Sequence, residues 1–314
     1  MIYTVTLNPA IDRILEIDTF QLDGVNRIEG ESRYAGGKGI DVSRALRELG
    51  SDSVALGFVG GYTGHEVAGR LGAEMVNCRF TLIDNETRTN IIVHCRSSGK
   101  VTSLNARGPD ISSVELESFL KHLGHLYPPP SFFVCSGSVP PGVPSDIYRR
   151  LIEWARSHQI KVLLDATGLP FKEGIEATPF AIKPNRRELS DLVGRELNTI
   201  EDVVACAEKL HIQGISVVLV SLGAEGIVGL SDEGAFHALP PKVEVNSTVG
   251  AGDSAVAGFL IGQLGGFGLA EALRLAAAAG TAAALTSGTE LCRREDFERL
   301  REQISVRKHA EHTS

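Results

Sequence analysis

The residues with the most chemistry to offer lie in Asn246-Ser-Thr-Val-Gly-Ala-Gly-Asp-Ser254. The alternation Lys242-Val-Glu-Val245 before them reads as strand, and the small-residue run from Ala255 to Gly262 after them reads as helix. A turn that opens a helix presents unpaired backbone N–H groups at the positive end of the helix dipole. Gly250, Ala251 and Gly252 therefore predict an anion site, with phosphate the obvious guest. Asp253, in the same first turn, has two readings: it caps the helix, or it takes a proton from a hydroxyl lying beside the bound phosphate. Glycine-rich turns before helices are common, and these residues alone do not decide between cap and base.

The elements that must position this turn emerge along the chain. Residues 2–7 are β-rich and stop at Asn8-Pro9. Residues 13–34 alternate, with turn chemistry at Asp23-Gly24, and predict short antiparallel strands. Gly36-Gly-Lys-Gly39 then opens a helix over 40–49, closed by Gly50, which is the device of Gly250 again. A strand over 54–59, a Gly60-Gly61 turn and a helix over 68–75 precede a second alternating region, 80–104. We expect the two alternating regions to form one small β-sheet, a lid beside the main domain. Beyond Pro109 a capping box, Ser112 with Glu115, starts a helix that ends near residue 126. Strands over 132–135, 161–165, 181–183 and 217–221 alternate with helices over 145–157, 185–193 and 200–210. Such a rhythm predicts an α/β fold, a mainly parallel sheet with helices on both faces and ligands at the carboxyl ends of its strands. Ser136, Ser138, Asp165, Lys183, Asn185, Ser221 and Gly223 fall at those ends, where with residues 250–253 they would line one cleft.

With 314 residues, 43% hydrophobic and 22% charged, the chain can build a full core. A net charge of -8 without long Lys/Arg runs argues against nucleic acid or an anionic membrane as partner, so an anionic substrate must be gripped locally. The five cysteines are scattered without a C-x-x-C pair, as expected of buried free thiols in a reducing compartment. No basic leader precedes the first apolar residues and no apolar run is long enough to span a membrane, so a cytoplasmic protein is expected. We read residues 1–306 as one domain carrying the inserted lid, and 307–314 as a disordered tail.

These residues carry a resemblance. Thr6-Leu-Asn-Pro-Ala-Ile-Asp12, Ala35-Gly-Gly-Lys-Gly-Ile40, Glu86-Thr-Arg88, Ser136-Gly-Ser-Val-Pro-Pro-Gly142, Lys183-Pro-Asn-Arg-Arg-Glu188, Ser221-Leu-Gly-Ala-Glu-Gly226 and Thr248-Val-Gly-Ala-Gly-Asp253 occur in the order of the ribokinase-like carbohydrate kinases, phosphofructokinase B branch. The match runs from Thr4 to about Leu300. It implies a three-layer α/β/α ribokinase-like fold with a β lid that often pairs with a second subunit's lid, hence a homodimer. It implies Asp253 as the base and the Gly250, Ala251 and Gly252 turn as the hole for the transferred phosphoryl group, with ATP as co-substrate. Asp12 resembles a ligand of sugar hydroxyls, and Gly36, Gly37, Lys38, Asp41, Arg88, Ser136 and Ser138 complete the acceptor site. Lys38 and Arg88 supply the charge a sugar phosphate requires. Lys183, Asn185, Ser221, Gly223 and Gly226 resemble nucleotide contacts. Asn185 and Glu188 would hold Mg²⁺ through water, as suits a cation that dehydrates reluctantly. Asp41 stands where this branch usually has Asn, and an ionised Asp only accepts hydrogen bonds. Within the branch the motifs are most similar to 1-phosphofructokinases, which predicts phosphorylation of D-fructose 1-phosphate to fructose 1,6-bisphosphate. Tagatose-6-phosphate kinase and 6-phosphofructokinase are the alternatives inside the class, and a sugar-phosphate or nucleotide sensor the alternative outside it.

Overall fold

The structure, a computed structural model, describes residues 1–286, 288 and 290–309. Strand β1 (Ile2–Thr6) leads into β2 (Ala10–Ile17) and β3 (Gly30–Gly36), followed by α1 (Lys38–Glu48), β4 (Ser53–Val59), α2 (Gly61–Ala73) and β5 (Asn77–Leu82). Next come β6 (Arg88–Cys95), β7 (Lys100–Leu104), α3 (Ser113–Leu123), β8 (Phe132–Ser136), α4 (Ile147–Ser157), β9 (Lys161–Asp165), α5 (Gly168–Glu176) and β10 (Ala181–Ile182). The remainder is α6 (Arg186–Val193), α7 (Ile200–Ile212), β11 (Val217–Ser221), β12 (Ile227–Ser231), β13 (Gly234–Leu239), α8 (Ala251–Leu264), α9 (Leu269–Ala284), α10 (Arg294–Arg301) and β14 (Ser305–Lys308).

A ten-stranded sheet runs in the order β14-β13-β12-β11-β10-β9-β8-β1-β4-β5. The strands from β11 to β5 are mutually parallel, and β12, β13 and β14 extend one edge antiparallel. Its central strands are apolar throughout because both faces are covered. Alternate residues sort to opposite sides: Tyr3, Val5, Phe133, Cys135, Val162 and Leu164 join a core with residues of α3, α4, α5 and α7. Ile2, Phe132, Val134 and Leu163 join the other, with residues of α1, α8, α9 and α10. The fold is therefore three layers with the sheet in the middle, as the resemblance implied. Helix α8 is apolar around most of its circumference and lies almost wholly buried, so its N-terminal turn is held rigidly at the carboxyl ends of the strands.

The second sheet, in the order β3-β2-β6-β7, is the lid. Ile11 and Ala35 at its root pack with Ile40 of α1 and Val67 and Leu71 of α2, which fastens it to the main domain.

Four sequence expectations need correction. The second lid segment begins at Arg88 rather than residue 80, because β5 pairs in parallel with β4 as the edge of the main sheet. The helix after Gly60 starts at Gly61 and ends at Ala73, not over 68–75. Residues 242–245 form no strand: the edge of β13 is taken by β14, and Asn246 N–H donates to the Ala284 carbonyl at the end of α9 instead. That same pairing puts Arg307 and Lys308 in a strand rather than in the expected tail; the part of that expectation from 310 to 314 lies outside the described residues.

Candidate functional site

Gly250 makes the turn before α8. Its φ of +75° is left-handed, and a Cβ there would lie 2.5 Å from Leu291 Cδ2, so no side chain fits. The first helical bond is Ser254 N–H to the Gly250 carbonyl. Helical geometry leaves the N–H groups of Ala251, Gly252 and Asp253 without intrahelical acceptors, which is the anion site the sequence predicts. No side chain caps this helix, so Asp253 does not act as its N-cap. The structure removes the capping reading and leaves the carboxyl free.

Asp253 is 8% exposed. Burial, followed by the charge of Asp165, pushes its carboxyl up to about 6, although Lys38 and Lys183 pull the other way. A carboxyl poised there is ionised at neutral pH yet still a useful proton acceptor.

Beneath it sits a group that sequence reading noticed only as the end of a strand. Asp165 closes β9 and is 1% exposed; its Oδ1 accepts from Lys38 Nζ at 2.9 Å and its Oδ2 lies 3.3 Å from Lys183 Nζ. Burial works against the Asp165 charge, but the two ammonium groups outweigh it and hold the carboxyl below the usual carboxylate range. Burial likewise opposes the Lys38 charge, while Asp165 and Asp253 more than offset it. Lys183 Nζ lies 3.3 Å from where a Cβ of Gly252 would stand, directly at the anion turn. The two lysines thus face the point where a phosphoryl group would pass, rather than the outer surface.

On the lid side Asp12 approaches the glycine loop so closely that a Cβ on Gly36 would lie 2.3 Å from its Oδ2. Asn90 Nδ2 donates to Asp12 Oδ1 at 2.8 Å. Burial raises the Asp12 carboxyl, with Asn90 and Arg88 opposing. Arg88 donates through Nη1 to the Ala106 carbonyl and through Nη2 to the Asn8 carbonyl, and its Nε is enclosed without a partner. Asn8, read from sequence only as a strand stop, ties Ser138 and the Arg107 carbonyl together through Nδ2. Ser136 is fully buried beneath Gly39 with an unpartnered hydroxyl, whereas Ser138 is exposed. Gly37 adopts φ +121°, and a Cβ there would lie 2.7 Å from Thr6 Cγ2. Asp41, one turn into α1, feels both Asp12 and Asp253.

At the far end Asn185 caps α6. Its Oδ1 accepts from Glu188 N–H and its own N–H donates to Glu188 Oε2, each at 2.8 Å. Ser221 N–H bonds the Pro184 carbonyl, which aligns this cap with the end of β11. Gly223 and Gly226, with φ of +62° and +88°, bound the turn beyond; a Cβ on Gly226 would lie 2.0 Å from the Ala238 carbonyl oxygen. The structure therefore brings Asp12, Lys38, Asp41, Lys183 and Asp253 within electrostatic reach of one another, with the paired Asn185 and Ser221 just beyond Lys183 and at the end of β11.

The chain has known relatives. Residues 5–296 match the profile described as pfkB family carbohydrate kinase. A 1-phosphofructokinase of Bacillus subtilis is 36% identical over 98% of this chain and 99% of its own. A tagatose-6-phosphate kinase of Staphylococcus epidermidis is 34% identical over 98% of this chain and 99% of its own. Among solved structures, Escherichia coli phosphofructokinase-2 in complex with potassium superimposes with a TM-score of 0.92 at 32% identity, covering 96% of this chain and 98% of that one. A tetrameric inhibited form of the same enzyme gives a TM-score of 0.90 at 31% identity, with coverage of 96% and 98%.

Proposed function

We propose that this chain, which belongs to the pfkB family of carbohydrate kinases, transfers the γ-phosphoryl group of ATP to the 6-hydroxyl of D-fructose 1-phosphate. The observation that carries the reading is Asp253, buried and uncapped, beside the free N–H groups of the α8 turn and the lysine pair on Asp165.

In the reaction a bond forms between the sugar oxygen and Pγ, the bond from Pγ to the β,γ-bridging oxygen breaks, and the sugar proton goes to Asp253. The turn at Gly250, Ala251 and Gly252 stabilises the charge on the passing phosphoryl oxygens, and Lys38 and Lys183 add two ammonium groups there. Phosphoryl transfer asks for little else, since positioning and charge stabilisation supply most of the rate. Asp12 orients the sugar hydroxyls. Arg88, whose Nη1 and Nη2 each give one N–H to a carbonyl and keep a second, serves the sugar's own phosphate with Gly36, Gly37, Ser136 and Ser138 around it, and Asp41 accepts from a sugar hydroxyl. Ser221, Gly223 and Gly226 serve the nucleotide.

Mg²⁺ fits as a hydrated ion. Among the described residues no group of three or more His, Cys, Asp or Glu side chains is arranged to hold a metal directly. Glu188 keeps one carboxylate oxygen outside its capping box, so it and the Asn185 amide oxygen can accept from metal-bound water. Held there through water by Glu188 and Asn185, a bound Mg²⁺ would supply charge neutralisation for the phosphates of ATP.

A coupled ADP-release assay tests the reading with fructose 1-phosphate, fructose 6-phosphate and tagatose 6-phosphate as acceptors. We expect the highest kcat/KM with fructose 1-phosphate; a higher value with either other sugar reassigns the substrate. In the same assay Arg88→Ala should raise KM for the sugar phosphate roughly tenfold or more, the value of one charge-assisted hydrogen bond, with KM for ATP unchanged.

The lid further supports a homodimer. Strand β7 is an exposed edge, Val101 and Leu104 project from it, and Phe20, Leu22, Val25 and Ile28 stand exposed between β2 and β3. Light scattering at micromolar concentration decides: a dimer is expected, and a monomer or tetramer refutes it. No described helix is long and apolar enough to cross a membrane, and our reading places the enzyme in the cytoplasm.

A further inference from the structure

Resting on the kinase reading above, we propose that Arg44 is a positioning residue of the acceptor pocket. Anchored by Glu74, it holds the Asp41 carboxyl in place as an acceptor for a sugar hydroxyl. Arg44 lies one turn after Asp41 on α1, and its side chain is only 8% exposed. Nη1 donates to Asp41 Oδ1 and to the Ala35 carbonyl, both at 3.3 Å, and Nε donates to Glu74 Oε2 at 2.7 Å. The guanidinium carbon also stands 5.6 Å from the centroid of the Tyr34 ring, within cation–π range. With contacts on three sides the fork cannot swing. It joins the glycine loop after β3, the helix that follows and the end of α2 into one piece.

Asp41 needs such a partner. Its side chain is 17% exposed; burial first, then the carboxyls of Asp253 on α8 and Asp12 on β2, push its own carboxyl well above the usual aspartate range, and Arg44 is the group that opposes them. Arg88 on β6 attends Asp12. On its outer side Arg44 borders an open groove of about 800 Å³, where Glu48, Glu74 and Glu290 face Arg293 and Arg294. Without Arg44, Asp41 becomes an unpaired third carboxyl among acids, and takes up a proton at higher pH. Ionised, it accepts from a hydroxyl and repels a phosphate, so the pair decides which end of a ketohexose phosphate can lie against α1. Arg44 thereby enters specificity without touching substrate. No sequence motif marks it, because its role depends on Glu74 and Ala35 arriving from other elements.

The test is steady-state kinetics of Arg44→Met, Asp41→Asn and the double variant, with fructose 1-phosphate and ATP varied in turn across neutral pH. Arg44→Met should raise KM for the sugar phosphate about tenfold, the worth of one charge-assisted bond, while KM for ATP and kcat move far less. The rise should be largest where Asp41 is protonated in the variant but still ionised in the wild type and should shrink at pH values that protonate it in both, and Arg44→Lys should recover part of it. In the Asp41→Asn background Arg44→Met should add little. Should Arg44→Met fail to fold, Glu74→Gln tests the same anchor, with a smaller KM rise in the same direction. An equal effect with and without Asp41, or a loss shared by kcat and both KM values, overturns the proposal and makes Arg44 a brace of the fold. A wild-type chain that phosphorylates no sugar phosphate overturns the kinase reading, and this proposal with it. Turnover without coupling overturns the proposal alone.

Discussion

Asp253→Asn is expected to lower kcat by about 10²–10⁴-fold while making the folded protein more stable at neutral pH. The first half follows from the proton: asparagine keeps the shape but cannot accept it. The second follows from linkage. Burial and Asp165 raise the folded carboxyl to about 6, whereas in the unfolded chain it titrates near the ordinary aspartate value. The folded state therefore binds the proton more tightly. Stability falls as pH rises from the ordinary value through about 6, and above that the whole penalty is present. At 8% exposure the penalty is largely unscreened, on the order of 2–3 kcal/mol from the size of the shift. Asparagine carries none of it. Thermal unfolding should thus show a higher Tm for the variant at pH 8, with the gap closing below pH 5. The activity of the wild type should fall as pH drops through about 6. A variant retaining more than about a tenth of wild-type kcat would mean that Asp253 is not the base.

Asp165→Asn should move stability the other way. Its carboxylate is the shared counter-ion of Lys38 and Lys183, whose side chains are 33% and 6% exposed. Removing one partner of a buried ion pair leaves an uncompensated charge, at a cost of about 3–5 kcal/mol. Here the folded carboxyl lies below its usual range, so its contribution is present at neutral pH and is lost as pH falls below that range. Urea denaturation at pH 7 should show the loss, and the difference from wild type should shrink in acid. Activity should fall as well, since repulsion would part the two ammonium groups that Asp165 brings to the anion turn. A stability change under about 1 kcal/mol would mean that water or a side-chain shift replaces Asp165, and that it does not organise the lysines.

Local chemistry was legible in the sequence because it depends on neighbours along the chain. The capping box expected at Ser112 is formed, satisfying N–H groups within its own first turn. The turn at Gly250 likewise follows from the residues that make it, and the βα rhythm from 132 to 221 produced the parallel sheet. Pairing was not legible in the same way. Alternation at 242–245 and at 80–82 marks an extended, half-exposed segment but not its partner. The first has none, because β14 returns from the C-terminus to claim the edge of β13; the second joins β4 rather than the lid.

The cleft divides along the same line. Asp253, Lys38 and Asp12 could be read from their motifs, but Lys38 and Asp165 are 127 residues apart and meet only because α1 begins and β9 ends at one side of the sheet. That meeting makes Lys38, expected from its motif to grip the sugar phosphate, one of two ammonium groups on the buried carboxylate of Asp165, with Lys183 the other. Whether Asp253 caps α8 or is free to take a proton was likewise open in the sequence, since both roles use the same residue in the same place. The tertiary structure rules out the cap, which leaves the proton-accepting role as the one we propose. Packing holds the turn through Gly250 without a side-chain cap, and burial beside Asp165 raises the carboxyl that remains.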